Sequence, residues 1–224
     1  MKKAIVFAAI MLFQLVSAQD ITKSLGDFTA VKAFDQIDVL LVKSNENKII
    51  IKGSRKDDVE VVTKNNELKV RMTMSKMLKG DDVSVTIYYK NNIDQVEASE
   101  GARIASQDTF KATAFILSAK EGAEIKLNID VKKLTSKANS GGILNISGTA
   151  ANHDIVITSG GIFNGKELIT AQTSVSINAG GEADVHATEF VEAKTRAGGE
   201  INIYGNPPQI NKKSFAGGTI ESRG

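Results

Sequence analysis

No cysteine occurs anywhere in this sequence of 224 residues. Disulfide bridges are therefore excluded as a source of stability, even after export to an oxidising compartment, and so is a lipid anchor on cysteine. Histidine is almost as scarce. The two present, His153 and His186, have no further His or Cys at ligand spacing, so a structural zinc site is not expected at either. His153 falls in a column of mostly apolar residues and reads as a packed or turn histidine. The two prolines, Pro207 and Pro208, are adjacent and are expected to shape a single loop.

Long apolar runs are missing too, apart from Ala4 to Val16, which is too short and wrongly flanked for a stable membrane span. Lys2 and Lys3 precede that run and Val16-Ser17-Ala18 ends it, the pattern of a secretory signal peptide over 1–18 with cleavage after Ala18. Removing Lys2 and Lys3 from 28 basic residues leaves 26 against 26 acidic ones, so the mature chain carries no excess of either sign. Nothing in that balance favours nucleic acid or an anionic membrane surface as a partner. Export is expected, with the periplasm the first destination and the cell surface or medium the next. No sorting segment or anchor is evident near the C-terminus.

Glycine, by contrast, is plentiful and ordered. A short phrase recurs seven times between Ser99 and Ser222: a small or acidic residue, Gly, then Gly or Ala, a mostly polar residue and an apolar one. Examples are Glu100-Gly101-Ala102-Arg103-Ile104, Ser159-Gly160-Gly161-Ile162-Phe163 and Ala197-Gly198-Gly199-Glu200-Ile201. The first glycines are spaced by 21, 19, 19, 20, 18 and 19 residues. A period near 20 marks a repeat architecture, in which each unit buries its apolar face only by stacking on the next. Three residues after the first Gly stand Ile104, Ile125, Leu144, Phe163, Ala183, Ile201 and Ile220, all apolar. Upstream pairs such as Leu117/Ala119, Ile155/Ile157 and Val175/Ile177 keep a two-residue rhythm, the period of strands. Each unit reads as strand, Gly-Gly corner, strand and looser turn. The regular leucines of a leucine-rich repeat are absent, as is any helical half-repeat. The fold expected is all-β: a right-handed parallel β-helix of about 20 residues per coil.

Residues 19–97 lack the phrase but keep the rhythm. Strands are expected at Ile37 to Val42, Ile49 to Ile51, Val59 to Val62, Leu68 to Met72 and Val83 to Tyr89. Lys64-Asn65-Asn66-Glu67 reads as a hairpin turn and Ser75 to Asp82 as a surface loop. This region is expected to form an irregular β cap over 19–97, continuous with regular coils over 98–224 in one domain.

Together, the segments Phe34-Asp35-Gln36-Ile37-Asp38-Val39, Leu68-Lys69-Val70 and Val83-Ser84-Val85-Thr86-Ile87, with the seven Gly phrases, resemble the head GIN domain family. Its members are common in Bacteroidetes and are labelled putative auto-transporter adhesins. The resemblance covers nearly all of the mature chain. It implies a right-handed parallel β-helix in an exported protein, and it brings no catalytic residue to transfer.

Candidate chemistry is thin. Gly180-Gly181-Glu182-Ala183-Asp184-Val185 is close to the nonapeptide calcium repeats, but Ala183 replaces their next glycine and the period is near 20 rather than 9. Glu182 and Glu200 share a column on successive coils, with Asp184 on the same face. Strands about 4.8 Å apart give any such pair the carboxyl spacing of a retaining glycosidase, so the spacing alone argues for a solvated stripe. Arg103 stands in the column before Glu124, where a cross-strand ion pair is expected. No catalytic, cofactor-binding or metal-binding residue is assigned. A non-catalytic scaffold, an adhesin or envelope-associated binder of a glycan or protein, is favoured over a polysaccharide-degrading β-helix enzyme, because the turns between phrases are too short to wall a cleft. A monomer or weak end-to-end dimer is expected, with Lys212, Lys213, Glu221 and Arg223 discouraging edge pairing.

Overall fold

The computed structural model describes residues 20–223, and the expected signal peptide lies outside them. Sixteen strands follow one another. The N-terminal ones are short: β1 (Ile21–Ser24), β2 (Ala30–Ala33), β3 (Asp38–Lys43), β4 (Lys48–Lys52), β5 (Val59–Lys64), β6 (Glu67–Met72), β7 (Ser84–Tyr89) and β8 (Gln95–Ala98). Five long strands come next: β9 (Arg103–Lys120), β10 (Glu124–Asn139), β11 (Ile143–Thr158), β12 (Ile162–Asn178) and β13 (Glu182–Arg196). The last three are β14 (Glu200–Tyr204), β15 (Gln209–Phe215) and β16 (Thr219–Ser222). They form a β-solenoid of about 7 turns, roughly 19 residues apart, with no α-helix among the described residues.

Each long strand pairs in parallel with the coil before and after it, and each serves two faces. In β10 the inward positions are Ile125, Leu127, Ile129 and Val131; Lys132 and Lys133 then both point outward, and Leu134, Ser136 and Ala138 resume the inward row. Two successive outward residues mean that the strand bends around the core there, so the looser turn expected from sequence is a continuous strand. The first half of each long strand builds what we term the front face, the second half the back face.

The glycine phrase makes the other edge. In Thr158-Ser159-Gly160-Gly161 both central residues have positive φ, 51° and 75°, and the Gly161 N–H donates to the Thr158 carbonyl at 3.2 Å. This is a type I′ turn, the two-residue connection that suits twisted strands. Its two glycines do different work. A side chain on Gly160 would meet nothing within 4 Å, so only its φ demands glycine, whereas a Cβ on Gly161 would lie 2.3 Å from the Ala138 carbonyl oxygen. Positive φ also falls on the residue before the first glycine, from Glu100 at 56° to Ala216 at 53°. The turn at Phe34-Asp35-Gln36-Ile37 is an eighth corner of this kind, with φ of 60° and 66° and no glycine.

Stacking order departs from chain order at the N-terminal end. On the front face the sequence of neighbours is β4, β7, β3, β9; on the back face it is β5, β6, β2, β8, β9. The coil β2–β3 is therefore sandwiched between β6–β7 and β8–β9. β4 and β5 close the end as antiparallel strands, with β1 antiparallel outside β4 and a hairpin at Asn65-Asn66 joining β5 to β6. Antiparallel edges cap the parallel ladder, which limits further strand addition. One core runs through the whole stack, its central column being Val39, Ile104, Ile125, Leu144, Phe163, Ala183 and Ile201, all buried. Burial of each large member stabilises the fold by about 1.5–3 kcal/mol, which the chain obtains only by stacking coils.

Candidate binding face

Outward residues of the front face line up in register because parallel pairing repeats every column from coil to coil. Lys126, Asn145, Asn164, Asp184, Asn202 and Glu221 form one such row. Within it Asn164 donates to Asn145 at 2.7 Å, and Asn145 donates in turn to the Glu124 carboxylate of the adjoining row at 2.6 Å. Asn202 donates to Asp184 and to Glu200, each at 3.1 Å, and accepts from Arg223 at 2.8 Å. A row of this kind holds its polar groups in fixed positions without long side chains.

Towards the cap the row opens into a hollow of about 430 Å³ across β7, β3, β9 and β10. Leu40, Thr86 and Ala105 give it a low, partly apolar floor, and Asp38, Arg103 and Lys126 its charged rim. Arg103 clasps Asp38 with two parallel bonds, Nε to Oδ1 at 2.5 Å and Nη2 to Oδ2 at 2.7 Å. The expected partner Glu124 is in register with Arg103, but it lies against Asn145 instead. Asp38 wins because β3 brings its carboxylate to the guanidinium edge-on, the geometry that a fork of donors prefers. A second hollow of about 300 Å³ continues along β10 to β12 past Lys126, Asn145, Asn164 and Lys166.

The residues singled out for chemistry sit apart from these hollows. Glu182 and Glu200 are direct neighbours in register, while Asp184 pairs with Asn202 rather than with another acid. Asn202 bonds to both Asp184 and Glu200, and Arg223 lies 3.5 Å from Glu200. No group of three or more His, Cys, Asp or Glu that could hold a metal ion occurs among the described residues. His186 lies on the outer surface, its Nδ1 at 3.0 Å from the Lys166 carbonyl oxygen. His153 points inward, 2 % exposed, with Nε2 at 2.8 Å from Ser136 Oγ and its ring 5.0 Å from that of Phe163. Burial pushes its pKa down to about 3. The hollow at Leu40 and Ala105 was not legible in the sequence, since β3 and β9 are 65 residues apart at the Asp38–Arg103 contact and no motif joins them.

Among curated proteins none matches the chain. Solved structures do. A putative adhesin from Bacteroides fragilis superposes with a TM-score of 0.83 at 19% identity, covering 92% of this chain and 98% of its own. A putative adhesin from Parabacteroides distasonis gives 0.68 at 18% identity, with 91% and 96% covered. A putative lipid binding protein from the same species gives 0.66 at 15% identity, with 92% and 98% covered. At these identities the likeness is one of fold. The sequence itself goes further, because residues 27–207 match the family described as putative auto-transporter adhesin, head GIN domain, and the chain belongs to that family.

Proposed function

We propose that this protein is an exported, non-catalytic scaffold that binds a glycan or protein of the cell envelope along its front face. The observation that carries this reading is the hydrogen-bonded chain from Glu124 to Asn145 and on to Asn164, running beside two hollows that share Lys126. Amides at a repeat of about 4.8 Å present donors and acceptors to an extended, polar partner. A mixed apolar floor with a few placed polar groups is also the usual make-up of a ligand site. The family is named for adhesion, and solved structures of like fold are named for adhesion or lipid binding, in keeping with this role. The periplasm is the proposed compartment, and a monomer or weak dimer the proposed state.

Two measurements on the chain lacking residues 1–18 test the reading. A glycan array should give binding that is lost when Asn145 and Asn164 are both replaced by lysine, which blocks the row with bulk and charge. A reducing-sugar assay on the same polysaccharides should show no product. Release of reducing ends would replace the scaffold with the polysaccharide-degrading enzyme.

A further inference from the structure

The loop between β6 and β7 exposes three large apolar side chains within five residues. Met74 is 80% exposed, Met77 51% and Leu78 53%. Exposed apolar residues are ordinary when scattered, but a contiguous group marks a surface that meets something. Lys76 and Lys79 alternate with them, and no carboxylate lies within ion-pair distance of either among the described residues. Two arginines nearby are already paired, Arg55 with Asp81 at 3.5 Å and Arg71 with Glu60 at 2.7 Å.

The loop is held, not loose. Asp35, itself 2 % exposed, accepts the Met72 N–H on one carboxylate oxygen and the Leu78 N–H on the other, both at 2.9 Å. The Asp35 carbonyl accepts the Gly80 N–H at 3.0 Å. A buried carboxylate thus fixes both ends of the apolar tip, and its charge is spent on the backbone. Of the acids beneath Met77, Glu121 accepts from Ser99 Oγ at 2.9 Å, and burial, with Asp35 beside it, holds the Glu100 carboxyl above its usual range. Leu78 adds an independent sign. It occupies the left-handed region at φ 59°, which is unfavourable for a leucine, yet its side chain is half exposed to solvent. Strain kept without a packing return points to a function outside the fold.

We infer that the Thr73–Lys79 loop docks on an anionic lipid bilayer surface, with Met74, Met77 and Leu78 entering the acyl boundary and Lys76 and Lys79 meeting the headgroup charge. Flexible methionines suit a disordered apolar medium, and adjoining lysines are attracted to anionic headgroups. Chain-wide charge neutrality does not oppose this, because neither lysine is ion-paired and the adjacent acids Asp81 and Asp82 are engaged by Arg55 and Ser54. The inference stands apart from the front-face reading, since neither hollow of that face includes the loop.

Vesicle flotation of the chain lacking residues 1–18 tests it, with phosphatidylcholine–phosphatidylglycerol vesicles against phosphatidylcholine alone. The protein should float with the anionic vesicles only, and raised salt should weaken binding. Replacing Met74 and Met77 by serine and Leu78 by asparagine should lower the partition coefficient at least about tenfold. The melting temperature should not fall, because asparagine tolerates φ near 60° better than leucine. Charge reversal by Lys76→Glu with Lys79→Glu should cost at least about fivefold per lysine. The back-face pair Lys194→Glu with Lys213→Glu should leave binding unchanged. No flotation with anionic vesicles overturns the inference, as does equal flotation with neutral ones. So does a loss in the back-face variant matching that in the loop variants, which would mean that charge alone, and no particular loop, drives the contact.

Discussion

Acid should loosen this solenoid through His153, and the size of the effect follows from its burial. The ring is packed against Phe163 and bonded to Ser136, and its folded pKa lies at about 3 against an unfolded value of 6.5. As pH falls below 6.5 the unfolded chain takes up a proton on this ring, while the folded chain does not until about pH 3. Protonation therefore favours the unfolded state across that window, by about 1.4 kcal/mol for each pH unit. At about pH 4.5 the loss amounts to roughly 3 kcal/mol relative to neutral pH. For a chain of this length that is a fall of about 6–12 °C in melting temperature.

Other groups titrate in the same range, so the test is a difference. Replacing His153 by leucine and Ser136 by alanine removes the ring and the hydroxyl it would otherwise strand. Leu134 already occupies the same column one coil earlier, so leucine suits the space. Melting curves by circular dichroism between about pH 7.5 and 4.5 should separate the two proteins at acid pH, where the variant keeps the roughly 3 kcal/mol that the wild type loses. Parallel curves would refute the reasoning, since every other titratable group is common to both.

At the corner, Gly160→Ala should cost about 1–2 kcal/mol for its φ alone, and Gly161→Val clearly more, because its Cβ meets the Ala138 carbonyl; equal melting temperatures would sink the distinction. Ala179→Asn and Ala197→Asn should each stabilise by about 0.5–1 kcal/mol, read from denaturant midpoints, because φ of 59° and 58° suits asparagine better than alanine. Converting Glu182, Asp184 and Glu200 to amides should leave the fold intact, and millimolar calcium should not shift the wild-type melt; a shift that the triple variant abolishes would instead mark a metal site.

How much of this was legible in the sequence depends on whether a feature repeats. The seven glycine phrases fixed the period, the corner and the central column, because parallel stacking puts equal positions in contact. Sequence reading placed the corner on the glycines, yet Glu121, Ser140 and Ala179 ahead of them also take positive φ. Nothing in those residue types demands φ near 50–60°; the turn imposes it, and stacking holds it. The eighth corner at Phe34–Ile37 carries no glycine at all and was invisible as a repeat. The insertion of β2–β3 between β6–β7 and β8–β9 was equally hidden, since strand rhythm says which residues face inward and not which strand is next. For the same reason Arg103 was given the partner one coil ahead, Glu124, when β3 supplied Asp38 from behind.

The eighth corner shows why that irregular end matters. At the regular corners the residue before glycine is Glu, Ser or Ala, and its turn bonds to the coils on either side. Asp35 holds the same left-handed position in its turn, but the neighbouring strands β6 and β7 are joined there by an eleven-residue connection, 73–83. Such a connection would otherwise leave the amides of Met72 and Leu78 without partners at the edge of the core. A carboxylate has enough acceptor sites for both, and aspartate is among the few residues that tolerate φ near 60°. One side chain therefore meets two demands, a backbone conformation and a pair of donors. Neither serine nor alanine, which suffice in the regular coils, could meet the second. With its ends so fixed, the connection displays Met74, Met77 and Leu78 outward instead of folding them onto the core. The regular coils thus provide length and a ladder of polar groups, while departure from the repeat provides an apolar projection whose contact with a bilayer the vesicle experiment will decide.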